Sequence, residues 1–199
     1  MYQSGKEPAS GGGGIADRDL VLASLPDDVG GSSPVTTAQG VRTVPDARLW
    51  ETFLERLKLH AGELMATQDL AQFEGRAVCD QDVPAEVKAT LGEPAPTIWD
   101  AELGVTLAEI AVAETGSLVL SARAGRRRLA SLAPPIHAVI IRKSQVVSSL
   151  DEAIKRMPLQ TSVIVTGPSR TADVEGIMVM GVHGPKRLWV VPLAETEPE

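Results

Sequence analysis

From Asp46 onward, apolar residues recur at three- and four-residue steps: Leu49, Trp50, Phe53, Leu54, Leu57 and Ala61. That spacing gathers them on one face of a helix, which Asp46 can cap and Gly62 ends. Leu64 and Met65 suggest a short strand, Gln68 to Phe73 a short helix, and Arg76 to Cys79 another strand. Pro84 sits where a helix begins, running through Leu91 until Gly92 and Pro94 stop it. Between Glu109 and Ala122 the chain reads EIAVAET, a glycine, then SLVLSA, and the valines and short lengths favour two strands. A short helix precedes Pro134 and Pro135, Ile136 to Ile141 is a strand, and Ser149 or Asp151 opens a helix to Met157. Thr161 to Val165 is a strand that runs into GPSRTADVEG; a helix through Met180 and a last strand, Leu188 to Leu193, follow. Strands and helices alternating through short connections predict an α/β fold with a parallel sheet covered on both faces.

Residues 1–45 break this pattern. They hold eight of the eighteen glycines together with Pro8, Pro26, Pro34 and Pro45, too little apolar surface to offset the entropy of ordering. The segment reads as a flexible arm, either binding a partner or serving as a poorly ordered terminus. The folded domain then spans 46–194, and 195–199 form an acidic, frayed tail. With 43% apolar and 23% charged residues the domain is an ordinary globular one. A net charge of −7 disfavours nucleic acid, and six aromatic residues offer little for stacking bases. No run approaches the ~20 apolar residues of a membrane span, and the N-terminus lacks the order of a signal peptide. A cytoplasmic location is expected, in keeping with the unpaired Cys79. One cysteine cannot supply the thiolates of a zinc or iron-sulfur centre, so no metal or redox cofactor is expected in this chain.

The segment Ser162 to Gly184 carries the most chemistry. In the expected strand-to-helix turn, Gly167, Ser169, Arg170, Thr171 and Asp173 combine free backbone N–H groups, hydroxyls and a guanidinium, which suits a phosphate or carboxylate. The same residues also make a capping box, and one turn can do both. His183, between Gly181 and Gly184, gains from a helix C-terminus and lacks the neighbours of a metal ligand. His137 reads as a satisfied, partly buried histidine, and His60 as a solvated one. Glu114 interrupts the apolar run IAVAETGSLVL. A carboxylate there either faces a crevice or pairs with a base, and Thr115 and Gly116 beside it add a donor and a close backbone approach. Glu109 is a weaker candidate of the same kind. Arg123, Arg126, Arg127 and Arg128 form a basic cluster fit for an anionic ligand or an acidic partner. Ligands of parallel α/β sheets gather at the C-terminal ends of strands, so Glu114, Arg170 and His183 are expected to converge on one crevice. A helix of ten residues carries His183 ~15 Å away, so it joins only if the chain folds back or a second protomer supplies it.

Three blocks, VTLAEIAVAETGSLVL, GRRRLASLAPPIHAVI and TGPSRTADVEGIMVMGVHGPKRLWVVPL, resemble the LUD domain of the lactate utilization protein C (LutC/YkgG) family. The pattern departs at Glu109, where the family usually has aspartate, and at LASLAPP, which is less aliphatic than the family's LLSLLPP. The resemblance implies a three-layer α/β/α sheet like the NagB/RpiA/CoA-transferase-like group. It also implies a non-redox subunit of a system that oxidises L-lactate to pyruvate, with iron-sulfur subunits as partners and a small anionic ligand in the crevice. Oligomerisation with further copies stays open. The alternative is a stand-alone enzyme acting on CoA esters or folates, with Glu114 as nucleophile or base.

Overall fold

A computed structural model describes residues 44–122, 128–157, 161–172 and 178–195. The apolar stripe after Asp46 forms helix α1 (Leu49–Leu59), preceded by a 3-10 turn at Asp46–Arg48 in which no side chain caps the helix. Phe53 and Leu57 are fully buried, each worth about 1.5–3 kcal/mol of transfer free energy. Strand β1 (Gly62–Leu64), helix α2 (Thr67–Leu70), β2 (Ala77–Cys79) and helix α3 (Ala85–Lys88) follow. Pro84 stands just before α3, and the helix ends three residues short of Leu91.

The central sheet is five-stranded and parallel, in the order β1-β11-β6-β3-β2, with β3 at Leu103–Leu107, β6 at Ile136–Arg142 and β11 at Arg187–Leu193. Because strand side chains alternate, each face has its own partners. Leu103, Val105, Ala138, Ile140 and Val191 pack against Leu70 of α2 and Val87 of α3. Val139, Ile141, Leu188 and Val190 face Phe53 and Leu57 of α1 on the other side. Helices therefore cover both faces, as the sequence pattern predicts.

A smaller sheet shares the α1 side, in the order β7-β4-β5-β8, comprising β4 (Ile110–Val112), β5 (Ser117–Ser121), β7 (Val146–Val147) and β8 (Ser162–Val165). Ala111, Leu118 and Leu120 join the core with α1. Ile110, Val112, Val119 and Val147 pack instead with Ala153 of helix α4 (Leu150–Arg156). β5 runs antiparallel to both β4 and β8, so those two run the same way and end at one edge.

The helix expected across 169–180 is not formed at the described residues 169–172 and 178–180. Arg170–Ala172 (β9) and Met178–Met180 (β10) pair antiparallel, with Thr171 opposite Val179. The β-branched Thr171 and Val179 at the central pair, and left-handed glycines at 167 and 181 outside the strands, suit paired strands better than a helix. Among the described residues no helix is long and apolar enough to cross a membrane.

Candidate functional site

Two glycines set the edge where β4 and β8 end. Gly116 has φ +69°, and a Cβ there would lie 2.5 Å from the backbone nitrogen of Leu57. At Gly167, with φ +91°, a Cβ would lie 2.3 Å from the carbonyl oxygen of His60. Both turns are thus pressed onto the C-terminal end of α1, a fit that only glycine allows. A chain of hydroxyls joins them: Thr115 Oγ1 lies 2.7 Å from Ser117 Oγ, which lies 2.6 Å from Thr166 Oγ1.

Arg170 completes this clasp rather than clamping a ligand, for its guanidinium donates to the His60 carbonyl at 2.9 Å. A cation at a helix C-terminus is favourable. With no helix starting at Ser169, the dipole argument for an anion at this turn also falls away. Thr171 lies in β9, paired with Val179; Asp173 lies outside the described residues, as do Arg123, Arg126 and Arg127.

Glu114 turns toward α4. Its N–H donates to the Ser148 carbonyl at 3.1 Å, and its carboxylate accepts from the Leu150 N–H at 3.4 Å. Ser149 caps the same helix by accepting from the Glu152 N–H, while the Glu152 carboxylate accepts from the Ser148 N–H. The carboxylate in the apolar run is therefore turned to one free N–H of a helix start, that of Leu150. Glu109 accepts from the Ser121 hydroxyl at 2.7 Å.

A cavity of about 220 Å³ opens on the other side of the β8–β9 connection, toward the central sheet. Gly167 and Ser169 line it from one side, His183 stands exposed on its rim, and His137 and Leu188 form its inner wall. The chain after Gly181 folds back, as this meeting requires. The Gly181 N–H donates to the Ser169 carbonyl at 2.9 Å, and the Ser169 N–H donates to the Pro185 carbonyl at 2.8 Å. Sequence reasoning ranked His183 lowest of its three converging residues, yet His183 reaches the cavity while Glu114 and Arg170 do not line it. The cavity also lies at the N-terminal ends of β6 and β11, since His137 and Leu188 are the second residues of those strands and sit in register.

His137, read from the sequence as a satisfied, partly buried histidine, is the residue whose place at a cavity that reading missed. It is 1% exposed, and its Nε2 lies 2.8 Å from Thr106 Oγ1. Burial pushes its pKa down to about 3, so the imidazole is neutral at physiological pH. Thr106 and Ser131 also border a smaller pocket on the far side, which Asp80 and Ser121 help to line. Among the described residues no group of acids, histidines and cysteines could hold a metal ion.

The parallel α/β core and the second mixed sheet fall within a LUD domain: the model of that family matches residues 48–192, and the chain belongs to the family. Its curated relatives are more particular. Lactate utilization protein C of Bacillus licheniformis is 40% identical over 94 residues, covering 43% of this chain and 39% of that protein. The protein of the same name from Macrococcus caseolyticus is 36% identical over 94 residues, or 43% and 41% of the two chains. Escherichia coli YkgG, described as uncharacterized, is 42% identical over 95 residues, again 43% and 41%. The chain thus spans about two fifths of the length of these relatives. A crystal structure of a DUF162 family protein from Deinococcus radiodurans has the same fold, with a TM-score of 0.59 and 22% identity over 76% of this chain and 99% of that one.

Proposed function

We propose that this chain serves in lactate utilization as a non-redox subunit, which holds a small anionic ligand in the His137–Ser169–His183 cavity and docks iron-sulfur partners. The observation that carries the reading is the identity of 40% and 36% to proteins named lactate utilization protein C. Cysteine chemistry agrees with it. The one cysteine, Cys79, is half-buried with its thiol pushed up to about 11, so it is neither a cluster ligand set nor a reactive thiolate. A short 2-hydroxy or 2-oxo acid suits the cavity, its carboxylate toward the open rim at His183 and its remaining oxygen toward the interior. Electrons leave lactate on the partner subunits, not here. Glu114, engaged with the start of α4, gives a nucleophile role on CoA esters or folates no support.

The test is a pull-down of the tagged chain from its native cells. Two cysteine-rich proteins that carry iron and acid-labile sulfide should copurify, while the isolated chain binds no iron and does not oxidise lactate. Stoichiometric iron and sulfide in the isolated chain, or lactate oxidation by it alone, would overturn the reading.

A further inference from the structure

We propose that His137 is a ligand-binding residue that presents Nδ1–H as a hydrogen-bond donor to an oxygen of a small 2-oxo acid in the cavity. The proposal deepens the reading of the cavity given above and rests on it.

Counting hydrogens points to one tautomer. Thr106 is 3% exposed, and the imidazole is its hydroxyl's hydrogen-bond partner among the described residues, at 2.8 Å. A buried hydroxyl proton left without an acceptor is costly, so Thr106 gives its proton to Nε2. The buried ring is neutral and carries one proton, which must then sit on Nδ1. The ring's hydrogen bond to Thr106 is made through Nε2, while the ring also lines the cavity, which leaves Nδ1 for a ligand there. The same position is filled by an apolar side chain on the neighbouring strand: Leu188, in register with His137, is part of the core. A histidine here therefore does what a leucine cannot, offering one directed donor to an oxygen atom. Since the ring holds no charge, it recognises a carbonyl or carboxylate oxygen by geometry rather than by net attraction. Thr106 acts through the ring as a positioning residue that orients the donor, much as second partners orient ligating histidines.

The experiment uses the full chain with ¹⁵N-labelled histidine, long-range ¹H–¹⁵N spectra, and pyruvate and its neutral amide pyruvamide as probes. In the free protein His137 should show the Nδ1–H tautomer, and both probes should shift Nδ1, since both carry the ketone oxygen. His137→Phe should weaken both probes about tenfold, the loss of one good hydrogen bond. His137→Asn, which restores an N–H near the Nδ1 position, should recover binding to within about threefold of the parent on the same scale. Thr106→Val should leave His137 in place and mix its tautomers. An Nε2–H tautomer in the free protein, no Nδ1 shift with either probe, or unchanged binding in a folded His137→Phe would each overturn the proposal. The tautomer and the shifts are read on the parent protein, so a variant that fails to fold does not stop the test. No partner subunit is involved, and a failed pull-down is thereby separate from a failed titration.

Discussion

Two neighbouring regions treat their polar groups in opposite ways. At the start of α4, Glu114, Ser148, Ser149 and Glu152 bond to one another's backbone and to the helix, so each group answers a need created by the fold itself. At the cavity, His137 is more deeply buried than any of them, with one ring nitrogen used by Thr106 and the ring itself lining the cavity. A closed set of hydrogen bonds is architecture. A polar ring that lines a cavity with one nitrogen already engaged can offer the other to a ligand.

The comparison breaks most visibly if the glycine that separates the regions is filled. Gly167→Ala should cost about 3 kcal/mol in urea unfolding, from left-handed strain and the collision with the His60 carbonyl. A loss below about 1 kcal/mol on that scale would mean that the β8–β9 connection is not pinned to α1.

Next in size is the pH dependence of His137. The folded state holds the ring neutral down to about pH 3, while the unfolded chain takes up a proton near pH 6.5. Stability from this residue is therefore complete above that value and lost as pH falls, by about 1.4 kcal/mol per unit. Denaturation at pH 5 should fall about 2 kcal/mol below that at pH 7, and His137→Asn should flatten the difference. A parent curve already flat from pH 7 to 5 would place a charged imidazole in the core.

On the closed side, Ser149→Ala should cost about 1 kcal/mol as the loss of a helix cap. Glu114→Gln should cost only about 0.5 kcal/mol, since a neutral amide oxygen still accepts from the Leu150 N–H. Neither substitution should alter the ¹⁵N shifts of His137, and a change there would join the two regions. Outside both regions, Cys79 should react with iodoacetamide at pH 8 about a hundredfold more slowly than free cysteine, because burial pushes its thiol up to about 11.

What the sequence made legible follows from how local each signal is. The stripe from Leu49 to Leu57, the valine-rich runs on either side of Gly116, and the strands at Ile136 and Leu188 all emerged where their periodicity placed them. β3 was missed because Gly104 and Thr106 dilute its apolar character, and its burial comes from strands 26 residues before and 33 after it in register. The pairing of β9 with β10 was misread because Ile177 and Met180 fall at helical spacing in the sequence, while pairing between two segments leaves no such mark. Glu114 stood out as a carboxylate among apolar neighbours, and that local contrast could not show a helix start 36 residues later. His137 was read only as a satisfied, partly buried histidine, since its meaning depends on Thr106 and on a cavity lined by Gly167, Ser169 and His183. One trace was available: a histidine second in the otherwise apolar run IHAVII.

The most direct measurement compares the two regions in the cell. In a strain whose own copy is deleted, growth on L-lactate is followed with the parent chain, Glu114→Gln, and a folded His137→Phe, each at matched protein level. The account predicts growth at the parent rate for Glu114→Gln and growth on lactate, but not on glucose, lost or severely slowed for His137→Phe. Full growth with His137→Phe together with failure of Glu114→Gln would contradict it, moving the working site to the region described here as architecture.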